Sequence, residues 1–167
     1  MPPQRVTVYP IPGARSAIRA LGYLVFDGND EVDAWPVLRR IDSTTHSSGL
    51  EEQDKVQARF RDWLAGVAHR EFHHGWSDDQ EFSMGYVFRW DHQRQHRRLY
   101  GFLGRPRPRL EVCILCCFRA KDDFRTDPAV KRTVRAMSQH PEVQEAVKRV
   151  FGKERRRREG RRRWTTH

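Results

Sequence analysis

No run of about 20 apolar residues occurs in this 167-residue chain, so no segment reads as a membrane-spanning helix. The opening Met1-Pro2-Pro3-Gln4-Arg5 lacks the continuous apolar core of a secretory signal, and a cytoplasmic protein is the expectation. Cysteine is scarce. The chain has three, Cys113, Cys116 and Cys117, within five residues of one apolar run. Neighbours on a strand point to opposite faces, so these thiols are not expected to close a disulfide, and they fit a reducing compartment. No internal repeat is visible, and no tyrosine follows Tyr100.

Charge is plentiful and uneven. Residues 1–88 carry 9 Lys/Arg against 13 Asp/Glu, whereas residues 89–135 carry 13 against 5. The stretch 136–152 balances, and the tail from Lys153 carries 8 against 2. Like charges gathered on one part of a fold repel one another unless a partner relieves them, so this asymmetry points to nucleic acid or another polyanion. A solvated, solubilising face is the alternative. The length suits one domain with its own core.

Leu110-Glu111-Val112-Cys113-Ile114-Leu115-Cys116-Cys117-Phe118 reads as a strand buried on both faces, and it runs straight into Arg119-Ala120-Lys121. Cations at the exit of such a strand are held on a rigid support. Upstream, Gly22–Gly28 predicts a strand, and Val32, Trp35, Leu38 and Ile41 recur every three residues as in a short helix. From Leu50 to His69 the positions Val56, Phe60, Trp63, Leu64 and Val67 predict an amphipathic helix. Ser43–Gly49 and Phe72–Gln80 read as loops. Strands are expected over 82–90, 96–103 and 110–118, with connections short enough for hairpins. Asp127-Pro128 supplies an N-cap and a first-turn proline for a helix, and a second helix starts near Pro141. Residues 1–21 read as an extended arm, 22–152 as the domain, and 153–167 as a basic tail without apolar period, disordered unless bound.

The order strand, two helices, three antiparallel strands and helix resembles the RelE/HigB-like toxins of bacterial toxin-antitoxin systems. The residues that carry the resemblance are Arg98-Leu99-Tyr100-Gly101-Phe102, then Ile114–Phe118 with Arg119, Lys121 and Arg125, then Thr126-Asp127-Pro128. Met84-Gly85-Tyr86-Val87-Phe88-Arg89 resembles the preceding strand, with Val87 where the family often has Glu. The resemblance implies an α+β fold: a small antiparallel sheet of three to four strands packed against two N-terminal helices and followed by C-terminal helices. It also implies cleavage of messenger RNA, commonly on the ribosome, and neutralisation by an antitoxin protein.

Cleaving RNA through its own 2′-hydroxyl needs a base, cations for the pentavalent phosphorane and an acid for the leaving 5′-oxygen, but no metal or other cofactor. Arg98, Arg119, Lys121 and Arg125 are the candidate cations, and arginine can grip two phosphate oxygens. His140, and His92 and His96 on the hairpin, are the candidate proton-transfer groups, since histidine titrates near neutral pH. Arg89, Arg94, Arg97, Arg105 and Arg107 are the further candidate nucleic-acid contacts, with Tyr100 expected to stack on a splayed base. His69 and His73, at i and i+4, lack a third metal ligand, and the Cys113-x-x-Cys116 pair has no partner pair, so no metal site is expected. Two other readings keep the charge or the fold without the chemistry: a non-catalytic RNA- or DNA-binding protein, and a degenerate toxin serving as an interaction module.

Overall fold

In the computed structural model, which describes residues 5–77, 79–121 and 126–153, the long apolar run lies third across a six-stranded sheet. The strands are β1 (Val6–Arg15), β2 (Arg19–Phe26), β3 (His73–Gly75), β4 (Gly85–His92), β5 (Gln95–Arg107) and β6 (Leu110–Lys121), ordered β1-β2-β6-β5-β4-β3. Neighbours are antiparallel except β2 and β6, which run parallel. Helices α1 (Ala34–Asp42) and α2 (Ser47–Leu64) connect β2 to β3, while α3 (Pro128–Gln139) and α4 (Pro141–Phe151) follow β6.

The sheet corrects the expectation of a small antiparallel one with three to four strands. It has six strands and is mixed. Part of the segment read as an arm is β1, an edge strand, where Pro10 and Pro12 are tolerated because one side of the backbone needs no ladder partner. The other addition, β3, is too short for its three residues to show an alternation, and it falls inside the expected Phe72–Gln80 loop. β3 thus intervenes between the two helices and the three antiparallel strands that were expected to follow them directly.

Both faces of the sheet are covered, which is why β6 reads as a continuous apolar run. On one face, Leu21, Phe88, Trp90, Leu99, Cys113 and Leu115 pack under α1 and α2 through Val37, Ile41, Val56, Phe60 and Trp63. On the other, Leu24, Phe26, Tyr100, Val112, Ile114 and Cys116 pack against Val130, Val134, Val143 and Phe151 of α3 and α4. Burying each such large side chain contributes about 1.5–3 kcal/mol. Asp127 caps α3 by accepting from the Ala129 backbone N–H at 2.9 Å, with Pro128 in the first turn, as its sequence predicts. Helix α2 ends at Leu64, short of the expected His69. Gly66, at φ 76°, donates to the Trp63 carbonyl while Val67 donates to Asp62, a paired closure that a left-handed glycine permits.

Two local irregularities set the register of the site strands. Gln93 and Arg94 close the β4–β5 hairpin as a two-residue turn, with φ of 50° and 62°. In β6, Cys117 lies opposite Tyr100 but Leu115 lies opposite Gly101, so Cys116 is an extra, bulged residue. The bulge puts Cys116 and Cys117 in the same apolar layer with their sulfurs 4.0 Å apart, correcting the expectation that these neighbours point to opposite faces.

Two substitutions probe these features. A Cβ at Gly101 would stand 2.3 Å from the Ile114 carbonyl oxygen, so Gly101→Ala should cost about 1–3 kcal/mol in denaturant unfolding. Arg94→Gly, which relieves a left-handed backbone at the exposed turn, should raise stability by about 0.5–1 kcal/mol in the same measurement.

Candidate active site

Pairing register collects the candidate residues before any side-chain detail is considered. Arg89 lies opposite Arg98, and Arg98 lies opposite Arg119, which makes one row across β4, β5 and β6. Asp91, His96 and Lys121 form the next row. Directly paired residues share a face, and so do residues two apart on one strand, so all six positions stand on one side of the sheet. Arg97 and Trp90 pair on the opposite side.

Arg97, Trp90 and Arg40 converge on a fully buried carboxylate there. Glu52, in the second turn of α2, accepts from the Trp90 indole N–H at 2.9 Å and from Arg97 at 2.8 Å, and it forms an ion pair with Arg40 at 2.8 Å. Burial pushes the Glu52 carboxyl up, but the bonds from Trp90 and Arg40 and the charges of Arg97 and Arg40 bring it below its ordinary value. Arg97 is thus occupied within the fold.

At the edge of β4, where β3 has ended, a cleft of about 280 Å³ is lined by Arg59, Glu71, Phe72, Arg89, Trp90, Asp91, His96, Arg97 and Arg98. The edge carbonyls of β4 are met by side chains of α2: Lys55 donates to Asp91 at 2.9 Å and Arg59 Nε to Arg89 at 3.0 Å. The Arg59 guanidinium also lies over the Phe72 ring at 3.7 Å, and the Arg89 N–H donates to the Phe72 carbonyl at 2.7 Å. His96 Nδ1 stands 2.6 Å from an Asp91 carboxylate oxygen. Arg98 is buried, at 3% exposed. Arg89 is half-buried, and its guanidinium makes no hydrogen bond or ion pair among the described residues. Burial and the neighbouring Arg98 charge both hold the Arg89 pKa below its ordinary value, against the opposing pull of Asp91 and Glu71.

The other candidates are dispersed. Arg119 donates to the Asp33 carboxylate at 2.8 Å, and the same carboxylate accepts from the Phe118 N–H at 2.7 Å, so this cation is bound into the start of α1. Burial pushes the Asp33 carboxyl up despite those bonds. Lys121 ends β6 in register with His96, and Arg125 lies outside the described residues. Tyr100, expected to stack on a base, is fully buried beneath α3 and α4, because the face that carries it is covered at that row. His140 does not line the cleft: its ring accepts from the Glu142 N–H at 3.2 Å as the cap of α4 and meets the edge of Phe26. Arg94 is exposed at the hairpin tip. Arg105 and Arg107 belong to the far end of β5, about 23 Å or more from Arg98 at strand rise, and Arg105 pairs with Glu111 at 3.7 Å. Residues 154–167 of the basic tail lie outside the described residues.

Sequence reasoning missed Arg59, Glu71 and Phe72, which come from the net-acidic half of the chain and are separated from His96 by β3 and β4. Arg59 sits between Val56 and Phe60 on the helix, and that spacing was the available hint that it would lie beside the buried stripe. A larger cleft, about 610 Å³, runs between β1 and helices α1 and α2 under the stacked rings of Tyr9, Tyr23 and Trp35. Its lining is mainly apolar, with Asp42 and Arg61 among the residues that line it.

Beside the cleft, His73 is 4% exposed and its Nδ1 lies 2.7 Å from the Tyr86 hydroxyl. Burial holds both His73 and His74 below the usual histidine value. Both are therefore neutral when folded and take up protons more readily when unfolded, so their stabilisation is present above about pH 6.5 and is lost as pH falls below it. The urea midpoint should drop between pH 7.5 and pH 5.5, and His73→Gln should diminish that drop. No family model matches the chain, and no curated protein or solved structure matches it.

Proposed function

We propose that the protein is a metal-independent endoribonuclease that acts on messenger RNA at the β4-edge cleft and is restrained by an antitoxin, the activity implied by its resemblance to RelE/HigB-like toxins. The observation that carries this reading is Arg89: a half-buried guanidinium without a partner among the described residues, beside Arg98 and within the same cleft as an Asp91–His96 pair.

The chemistry follows from that arrangement. Asp91 at Nδ1 orients the His96 ring, and His96 takes the proton of a ribose 2′-hydroxyl. The attack adds a second negative charge to the phosphorane oxygens, which Arg89, paired across the strands with Arg98, faces; the P–O5′ bond then breaks, leaving a 2′,3′-cyclic phosphate and a 5′-hydroxyl that takes its proton from water. Removing water from the cleft strengthens each of these interactions.

A non-catalytic RNA- or DNA-binding role is the second reading, favoured by the engagement of Arg119 with Asp33 and of Arg97 with Glu52. Both charges serve the fold, leaving fewer for a transition state.

Purified protein should cut a messenger RNA within its coding region, either alone or with ribosomes present. His96→Gln should slow cutting by about 10²-fold or more, and Arg89→Ala by roughly 10²–10³-fold if the loss of one preorganised donor is a guide. Both variants should retain the parent's thermal midpoint within a few degrees, because neither side chain belongs to an apolar layer. A parent that binds RNA but never cuts it, under either condition, establishes the second reading.

A further inference from the structure

We propose that Arg59, Phe72 and Glu71 form a nucleobase subsite that selects guanine next to the phosphate held by Arg89. This inference rests on the reading of the β4-edge cleft as an RNA-handling site and names the base it takes.

The subsite is built rather than incidental. Arg59 projects from α2, and its Nε–H is bound to the Arg89 carbonyl at 3.0 Å, which fixes the plane of the guanidinium at the β4 edge. One face of that plane is covered by the Phe72 ring at 3.7 Å, and Phe72 is tied back to the same strand by the Arg89 N–H. Burial holds the Arg59 pKa below its ordinary value, so this cation has already given up part of its water. A flat, partly dehydrated guanidinium backed by an aromatic ring is a stacking platform for an unpaired base. It is attached directly to the residue whose side chain faces the phosphate.

Glu71 supplies the selection. It precedes Phe72, lines the same cleft, is exposed, and its carboxylate has no hydrogen bond or ion pair among the described residues. An ionised carboxylate only accepts hydrogen bonds. Guanine alone among the four RNA bases presents two adjacent donors, N1–H and the N2 amino group, on its Watson–Crick edge. Adenine and cytosine set one amino donor beside an acceptor, and uracil flanks its single donor with acceptors. A carboxylate beside a stacking platform therefore meets two donors in guanine and a repelling lone pair in the others. A bidentate match of this kind discriminates by roughly tenfold to a hundredfold.

The test uses the full chain and oligoribonucleotides of uridine carrying one central guanosine, adenosine or cytidine, read both by cleavage, with and without ribosomes, and by fluorescence anisotropy. The expected result is at least tenfold preference for the guanosine oligomer in cleavage and in affinity. Glu71→Gln should reduce that ratio to within about threefold of unity, and Arg59→Ala should weaken binding of all three oligomers. Glu71 is exposed, so an unchanged thermal midpoint verifies that the variant is folded. Cleavage without base preference, or a preference that survives Glu71→Gln, overturns the subsite and leaves the nuclease standing. Guanosine-selective binding that depends on Glu71, without cleavage of any RNA, upholds the subsite and overturns the nuclease. Equal affinity for all three oligomers without cleavage overturns both.

Discussion

One buried carboxylate holds the two halves of this protein in their working relation. Glu52 ties α2 to β4 through Trp90, to β5 through Arg97 and to α1 through Arg40, and it does so without contact with water. A charge in that position is costly unless every partner stays, so the three donors and the acceptor form an all-or-none set. Everything at the β4 edge follows from it. With α2 seated against the hairpin, Lys55 and Arg59 reach the strand's free carbonyls, and Arg59 arrives over Phe72. With Arg97 drawn inward, its neighbour Arg98 turns to the other face, where it meets Arg89.

That division of labour between adjacent arginines explains why charge count was a poor guide to the site. Arg97 and Arg98 look alike in the sequence, yet alternation along β5 turns Arg97 to Glu52 and Arg98 to the face of Arg89. The same sorting separates Arg119, which closes the junction between β6 and α1, from Arg89, which is left available. Cations that neutralise the protein's own acids contribute little to a polyanion.

Much of the local structure was legible. Apolar period marked the helices and the three hairpin strands, and Asp127-Pro128 marked the start of α3, because those signals come from a few neighbouring residues. What escaped lacked a local apolar period or depended on distant pairing. The proline-interrupted Val6–Arg15 strand pairs locally with β2, and the parallel contact of β2 with β6 links residues some ninety positions apart, which no local spacing records. The site was legible in its row of basic strand residues and illegible in its second wall. Arg59 and Glu71 sit in the acidic half of the chain, and only the packing of α2 on β4 brings that half to the cleft. Tyr100 escaped for a related reason: its face is roofed by α3 and α4 at that row, a contact made by residues distant in the sequence.

The bulge in β6 has a consequence beyond its local kink. A strand behaves as a wave of period two, and one inserted residue advances its phase by half a cycle. Before the bulge, odd-numbered Cys113 and Leu115 face α1 and α2; after it, even-numbered Phe118 does, and odd-numbered Arg119 moves to the face of Arg98. β6 therefore carries two phases, one tuned to the core and one to the cationic row. Without the slip at Cys116, a strand with regular alternation would present its apolar residues to the cleft and its terminal arginine to the core. A single residue in the middle of the most apolar segment of the chain thus decides the polarity of a surface several positions away.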